Sequence, residues 1–102
     1  MRVEWLYEAQ QEFGDLLRYY RVTVGDKYAR RFAEKILGAV EQLEIFPESG
    51  VLKTDTIMGR YGFRALFVDQ YACIYRIDGD VVWIYHLVDA RRNYIYNIFG
   101  VQ

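Results

Sequence analysis

Cysteine, histidine and proline each occur once in this sequence, at Cys73, His86 and Pro47. A single cysteine excludes an intrachain disulfide and is typical of a reducing compartment. With one histidine beside it, the chain also lacks the usual sets of zinc ligands. We therefore expect no bound metal and no cofactor.

Long apolar runs are missing too. No stretch approaches the roughly 18 uncharged apolar residues that a membrane helix requires, and the N-terminal MRVEWLYEAQ carries acids too early for a signal peptide. These absences predict a soluble, cytoplasmic protein without membrane contact.

An excess of positive charge is the third absence. The chain has 13 Lys and Arg against 14 Asp and Glu, so its formal net charge is −1. It lacks the overall cationic field with which most tight nucleic-acid binders attract their ligand. Aromatic residues, in contrast, make up 18% of the sequence, with ten tyrosines. Such amphipathic rings suit contact surfaces for proteins or nucleotides.

Length and periodicity predict one domain, residues 1–102, that begins with a helical hairpin. Apolar residues recur at helical spacing over residues 9–24 and 29–43. The pair Gly25-Asp26 separates the two helices, with Asp26 as a suitable N-cap for the second. Pro47 ends the second helical region, because a residue before proline is disfavoured in helical geometry.

Strand-like patterns occupy residues 3–6, 63–68, 71–77 and 81–88, with a polar loop over residues 51–62. Asp69-Gln70 and Asp78-Gly79 separate the last three, and Asp78-Gly79 is typical of a type I′ hairpin turn. A short helix is expected from Asp89, which would cap it, with an apolar side formed by Tyr94, Ile95, Ile98 and Phe99. The fold class is therefore α+β: an N-terminal strand and a helical hairpin packed on an antiparallel β-meander, with a short C-terminal helix.

Three segments in this order resemble the RelE/ParE toxin superfamily of bacterial type II toxin–antitoxin modules: LEIFPESG, RALFVDQYACIYRID and VVWIYHLVDARRNY. The resemblance implies a toxin that a cognate antitoxin neutralises with an extended segment, in a heterotetramer or larger complex. It also implies one of two targets. RelE-like members are ribonucleases that cut mRNA on the ribosome, and ParE-like members poison DNA gyrase.

The nuclease alternative requires groups that activate the 2′-hydroxyl, protonate the leaving oxygen and stabilise charge on the phosphate. The resemblance suggests Arg64, His86, Arg92 and Tyr96 as candidate catalytic residues. The sequence departs from the nuclease pattern because only Arg64 stands where a basic cluster is expected. In addition, the position after Tyr71, often arginine in nucleases, is Ala72.

Each of these residues also has a structural interpretation. His86 would lie on the strand face shared by Val82, Ile84 and Val88, partly covered and bonded to a neighbour. Arg64 would pair across strands with Asp69 or Asp80.

The second alternative is a contact surface for a protein target or the antitoxin. Arg91 and Arg92 cannot both face the same way, so one is expected to pair with an acid or the antitoxin, while the other is free to contact a target. The apolar C-terminal segment contributes Tyr94, Ile98 and Phe99, which either pack on the sheet or need a partner. The missing cationic cluster favours the ParE-like mode over ribosome-dependent cleavage. A third interpretation is an inactive toxin fold that only binds the antitoxin.

Overall fold

The computed structural model describes residues 1–101; Gln102, the last residue of the predicted domain, lies outside the described residues. The elements are β1 (Arg2–Trp5), α1 (Tyr7–Thr23), α2 (Asp26–Glu41), α3 (Ile57–Arg60), β2 (Phe63–Val68), β3 (Tyr71–Asp78), β4 (Val81–Asp89) and α4 (Tyr94–Phe99). A 3-10 turn, Gln42–Glu44, extends α2. Within the described range, no helix combines the length and the apolarity needed to cross a bilayer.

The four strands form one mixed sheet in the order β1-β4-β3-β2. The predicted antiparallel meander of β2, β3 and β4 is confirmed, and β1 pairs in parallel with the start of β4. The last two residues of the pairing are Trp5 and Ile84. Because the chain then turns into α1 at Tyr7, β1 covers only the first part of β4.

The helical hairpin is also confirmed, with one correction at its turn. Asp26 is the first residue of α2, and the N-cap is Gly25, at a φ of 139°. The Gly25 carbonyl accepts the first helical hydrogen bond, from the Ala29 amide. Glycine reaches this φ at little steric cost, so Gly25 holds the N-cap position without a side-chain capping hydrogen bond.

The inner face of the sheet packs against α1 and α2. The largest fully buried side chains there include Ile36 and Leu43 from the helical layer and Tyr75 and Ile84 from the sheet. Aromatic rings continue this core towards the β2–β3 turn, with the Phe32 centroid 5.1 Å from Tyr20 and 5.2 Å from Tyr71. Burial of these rings adds to the hydrophobic stabilisation of the fold.

Tyr75 also anchors the segment that contains Pro47. Its hydroxyl donates to the Pro47 carbonyl at 2.7 Å and accepts from the Gly50 amide at 2.8 Å. A Cβ on Gly50 would lie 2.6 Å from the Tyr75 ring, so only glycine fits against it. Arg64, opposite Tyr75 in the ladder, donates to the carbonyls of Glu48 and Gly50. The FPESG segment is thus bound to the sheet by two side chains.

The outer face of the sheet is partly covered by α3 and α4. A second apolar cluster lies beneath these helices and contains Met58, Ala65, Ala72, Ile74 and Tyr94. The sequence did not predict α3, because residues 51–62 read as a polar loop. The Thr56 hydroxyl caps this short helix by accepting from the Gly59 amide at 3.2 Å.

The β3–β4 turn differs from the expected type. Asp78 pairs with Val81, so Gly79 and Asp80 are the central residues. Gly79 has a φ of 62°, and Asp80 is not among the residues with positive φ. Glycine with positive φ at the first central position alone is the pattern of a type II′ turn, not type I′.

Candidate functional site

A groove of about 670 Å³ runs between α1, the end of β4 and α4. Leu16 and Tyr20 from α1 line one side, Ile98 from α4 lines the other, and Leu87 and Val88 belong to the strand between them. The groove exists because β1 ends at Trp5, which leaves the edge of β4 open beyond Ile84.

Glu12 occupies part of this open edge. Its carboxylate accepts a hydrogen bond from the Leu87 amide at 3.1 Å, which satisfies a backbone donor that no strand pairs on that side. Unpaired donors at a strand edge invite pairing with another chain. A side chain of α1 therefore takes the place that a continuing β1 would have filled.

His86 lies next to this contact, and its position corrects the predicted strand face. A bulge places Ile74 opposite His86 and Tyr75 opposite Ile84, so β4 gains one residue. Val82 and Ile84 belong to the inner core, whereas Val88 packs with the outer cluster. The bulge shifts the alternation of side chains, and the face predicted from simple alternation is wrong.

The expectation that His86 is partly covered and bonded to a neighbour is confirmed. Its Nδ1 lies 3.2 Å from both carboxylate oxygens of Glu12, and its side chain is 19% exposed. The hydrogen bond that Glu12 accepts from His86 raises the pKa of His86 above its usual value, against the opposing effect of burial. The contact with Glu12 thus stabilises the protonated form of His86 relative to an isolated histidine.

The two arginines differ in their contacts, and one of them pairs with an acid. Arg91 forms a two-pronged contact with Asp89, with Nε 3.1 Å from Oδ1 and Nη2 2.8 Å from Oδ2. The side-chain and backbone hydrogen bonds from Arg91 lower the pKa of Asp89 to about 2. Arg92 is exposed at the groove and forms no ion pair or side-chain hydrogen bond within residues 1–101. Arg92 is thus the arginine available to a partner.

Asp89 does not cap α4. Its Oδ1 accepts from the Arg91 amide at 2.9 Å, and the helix begins at Tyr94 after Asn93, whose side chain makes no capping bond. Because Arg91 is only two residues further along the chain, the Asp89 carboxylate accepts from the backbone of its own turn and not from the first turn of α4.

The apolar side of α4 is confirmed. Tyr94 is buried, with 7% exposure, and Ile95, Ile98 and Phe99 pack partly buried against the outer cluster. The Tyr94 hydroxyl is buried without a hydrogen-bond partner in the described part of the chain. Burial raises the pKa of Tyr94. Tyr96, at 54% exposure, points away from this packing.

Two tyrosines and one glutamate complete the groove although sequence reasoning did not select them. The hydroxyls of Tyr20 and Tyr71 are hydrogen-bonded across the groove wall, and burial together with this bond raises the pKa of Tyr20 to about 12. Glu12 is the third. Each is an ordinary helix or strand residue by pattern, so no local signal distinguishes it.

The family model of the ParE toxin of the type II toxin–antitoxin system parDE matches residues 3–94. The chain belongs to the ParE toxin family. No curated protein matches its sequence significantly. Its fold is similar to a solved structure titled "Chromosomal ParDE TA system from P. aeruginosa", with a TM-score of 0.74 and 19% identity over 87% of this chain and 95% of that chain.

In this ParE-family chain the four candidate catalytic residues do not converge. Arg64 lies on β2, with all of β3 between it and β4, and its guanidinium is bonded to the Pro47–Gly50 segment. Its expected pairing with Asp69 or Asp80 is wrong, since Asp69 pairs with Lys35. Arg92 lines the groove, but Arg64 and Tyr96 do not.

Neither a group of potential metal ligands nor an accessible thiol is found within residues 1–101. Within residues 1–101, no three His, Cys, Asp or Glu side chains form a group that could hold a metal ion. Cys73 is fully buried, and desolvation raises the pKa of its thiol to about 12. A thiol that stays protonated and covered is a poor nucleophile.

Proposed function

We propose that this ParE-family toxin inhibits growth by binding a protein target, with DNA gyrase as the specific candidate. The observation that carries the proposal is the covered apolar patch on the outer face of the sheet, at the position where the nuclease pattern has a basic residue. Ala72 stands where the nuclease pattern has arginine, and it is fully buried with Ile74 beneath Tyr94. Cleavage of RNA needs exposed cations and proton carriers around a phosphate. The covered apolar patch around Ala72 offers neither.

The groove supports a protein-binding role. It combines the exposed Arg92 with tyrosine rings and an apolar wall, a composition that is enriched at protein interfaces. Its volume of about 670 Å³ is enough for a few side chains of a partner, with the flanking surface supplying the remaining contact area. Contact there does not require the four dispersed candidate residues to act together.

Neutralisation by an antitoxin is the second part of the proposal. The similar structure from P. aeruginosa is titled as a toxin–antitoxin system, and the edge of β4 beyond Ile84 is open to an added segment. An extended peptide that pairs with such an edge gains main-chain hydrogen bonds and side-chain pockets. The Leu87 amide would then exchange the Glu12 carboxylate for a backbone partner.

Gyrase supercoiling measured with the purified full-length chain tests the target. We expect loss of supercoiling by wild type and weaker inhibition by Arg92→Ala. Arg31→Ala is the matched control, because Arg31 is an exposed arginine of α2 and does not line the groove.

A parallel assay with translating ribosomes tests the nuclease alternative. Cleaved transcripts together with intact supercoiling would contradict the proposal. In that case His86→Gln should abolish cleavage, whereas growth inhibition that survives this substitution means that His86 is not an obligatory proton carrier. Absence of any growth defect would instead support the inactive, antitoxin-binding alternative.

A further inference from the structure

A second cluster of interface-type residues lies on the outer face of the sheet, outside the groove. It consists of Phe63, Arg76, Trp83 and Tyr85, and we name it the Arg76 cluster. Phe63, Arg76 and Trp83 are direct neighbours across β2, β3 and β4. All four side chains are partly exposed, and none of them lines the groove.

Aromatic rings hold the Arg76 guanidinium in place. Its Cζ lies 5.1 Å from the centroid of Phe63 and 5.6 Å from that of Tyr85, and Nη2 donates to the Tyr85 hydroxyl at 3.2 Å. The two rings contact each other edge to face at 4.8 Å. Cation–π contacts of this kind fix the orientation of an arginine fork before any ligand arrives.

The fixed cation has no acidic partner within residues 1–101, whereas Arg2 on β1 pairs with Glu4 at 3.2 Å. Arginine has five N–H donors, and the described contacts of Arg76 use one of them. The remaining donors are preorganised for an oxyanion, most strongly for a carboxylate or phosphate that accepts two parallel bonds.

The surroundings favour a carboxylate on a polypeptide over a nucleic-acid phosphate. Arg76 is the one cation among the four residues of the cluster. A phosphate backbone rewards many cations, and this surface does not provide them. Tryptophan, tyrosine and arginine together are the residues that most often dominate binding energy at protein interfaces.

We propose that the Arg76 cluster is a docking site for an acidic segment of a partner polypeptide. An Asp or Glu of that segment binds the guanidinium, and a neighbouring apolar side chain packs on Trp83 and Phe63. The site is separate from the groove and does not depend on gyrase being the target.

Selection of random peptides displayed on phage against the immobilised full-length chain tests this proposal. Peptides that bind here should be enriched in Asp or Glu beside apolar residues. Their affinity should fall about 10- to 100-fold for Arg76→Gln, and Arg76→Lys should restore little, because lysine lacks the planar fork. Arg31→Gln removes the same charge from α2 and should bind as wild type.

A measurement on the unaltered chain keeps the test independent of variant folding. Amide chemical shifts upon addition of a selected peptide should change at Arg76, Trp83 and Tyr85, and not at Leu87 or Asn97 of the groove. The proposal is overturned if no selected peptide depends on Arg76, or if the shifts move only in the groove. Binding of a labelled single-stranded oligonucleotide that competes with the peptides would also overturn it. Loss of peptide binding with retained gyrase inhibition separates this site from the proposed function.

Discussion

Two buried tyrosines on opposite faces of the sheet have opposite hydrogen-bonding situations. Tyr75, fully buried on the inner face, uses its hydroxyl both as donor to Pro47 and as acceptor from Gly50. Tyr94, 7% exposed beneath the outer surface, has a hydroxyl without a partner among residues 1–101. The inner face is completed by its own chain, whereas the outer face near the groove is not.

The difference separates a stabilising polar group from a destabilising one. A buried hydroxyl with two partners offsets its loss of hydration, and one without a partner carries the full desolvation penalty, about 1–3 kcal/mol. Phenylalanine would fill the same volume at position 94 without that penalty. The Tyr94 hydroxyl is therefore expected to lower the stability of the fold.

The largest effect on stability is expected from a substitution that displaces Tyr75 on the inner face. Gly50→Ala places a methyl group 2.6 Å from the Tyr75 ring, so the ring or the loop must move. We expect a loss of about 3 kcal/mol in the free energy of unfolding, measured by denaturant titration. Gly38→Ala is the control, because its Cβ meets nothing within 4 Å in α2 and should stabilise by about 0.5–1 kcal/mol. Equal stability of both variants would show that the loop adapts freely.

Removal of the inner hydroxyl alone should have a smaller effect. Tyr75→Phe keeps the ring but leaves the Gly50 amide and the Pro47 carbonyl without their partner. We expect destabilisation by about 2 kcal/mol, again from denaturant midpoints at constant m-value. Unchanged stability would mean that water replaces the hydroxyl without loss.

Removal of the outer hydroxyl, that of Tyr94, should increase stability instead of lowering it. Tyr94→Phe is expected to raise the free energy of unfolding by about 1 kcal/mol, because a desolvated group without a partner is removed. Tyr96→Phe, at an exposed position of the same helix, should change stability by less than about 0.5 kcal/mol. A destabilised Tyr94→Phe variant would contradict the comparison directly.

The smallest expected effect on stability comes from the contact between His86 and Glu12 at the edge of β4, and it depends on pH. The folded pKa of His86 is raised above the unfolded value of 6.5 by Glu12. The stability that this contact contributes is therefore fully present below 6.5 and is lost as the pH rises through the folded pKa. Denaturation series across this window should give a steeper decline for wild type than for Glu12→Gln, whose amide oxygen still accepts from Leu87. Parallel curves would exclude a contribution from the charged pair.

Periodicity predicted the elements well because it reflects local chemistry. The helical hairpin, the meander and the apolar side of α4 each follow from which residues must be buried within one element. The family resemblance likewise rested on local segments, and the family match over residues 3–94 confirms it. Sequence reasoning was wrong where one residue changes the geometry, as at the Gly79 turn and at the bulge beside His86.

The candidate site was only partly predictable. Arg92 and Tyr94 were selected from the sequence and do line the groove. Glu12 was not, since its contact with His86 spans 74 positions along the chain and no local pattern records it. Arg64 was selected as a catalytic candidate, yet its guanidinium donates hydrogen bonds to the Pro47–Gly50 segment.

The sequence by itself determined the α+β layering, the near-neutral charge and the toxin family, because these depend on composition, periodicity and short segments. Only the tertiary structure decided which polar groups meet: Tyr75 with the Pro47–Gly50 segment, Glu12 with the edge of β4, and Tyr94 with no partner in the described chain. The physical reason is that a hydrogen bond acts over about 3 Å. Its partners are therefore set by strand order, register and a single bulge, which no local stretch of residues specifies.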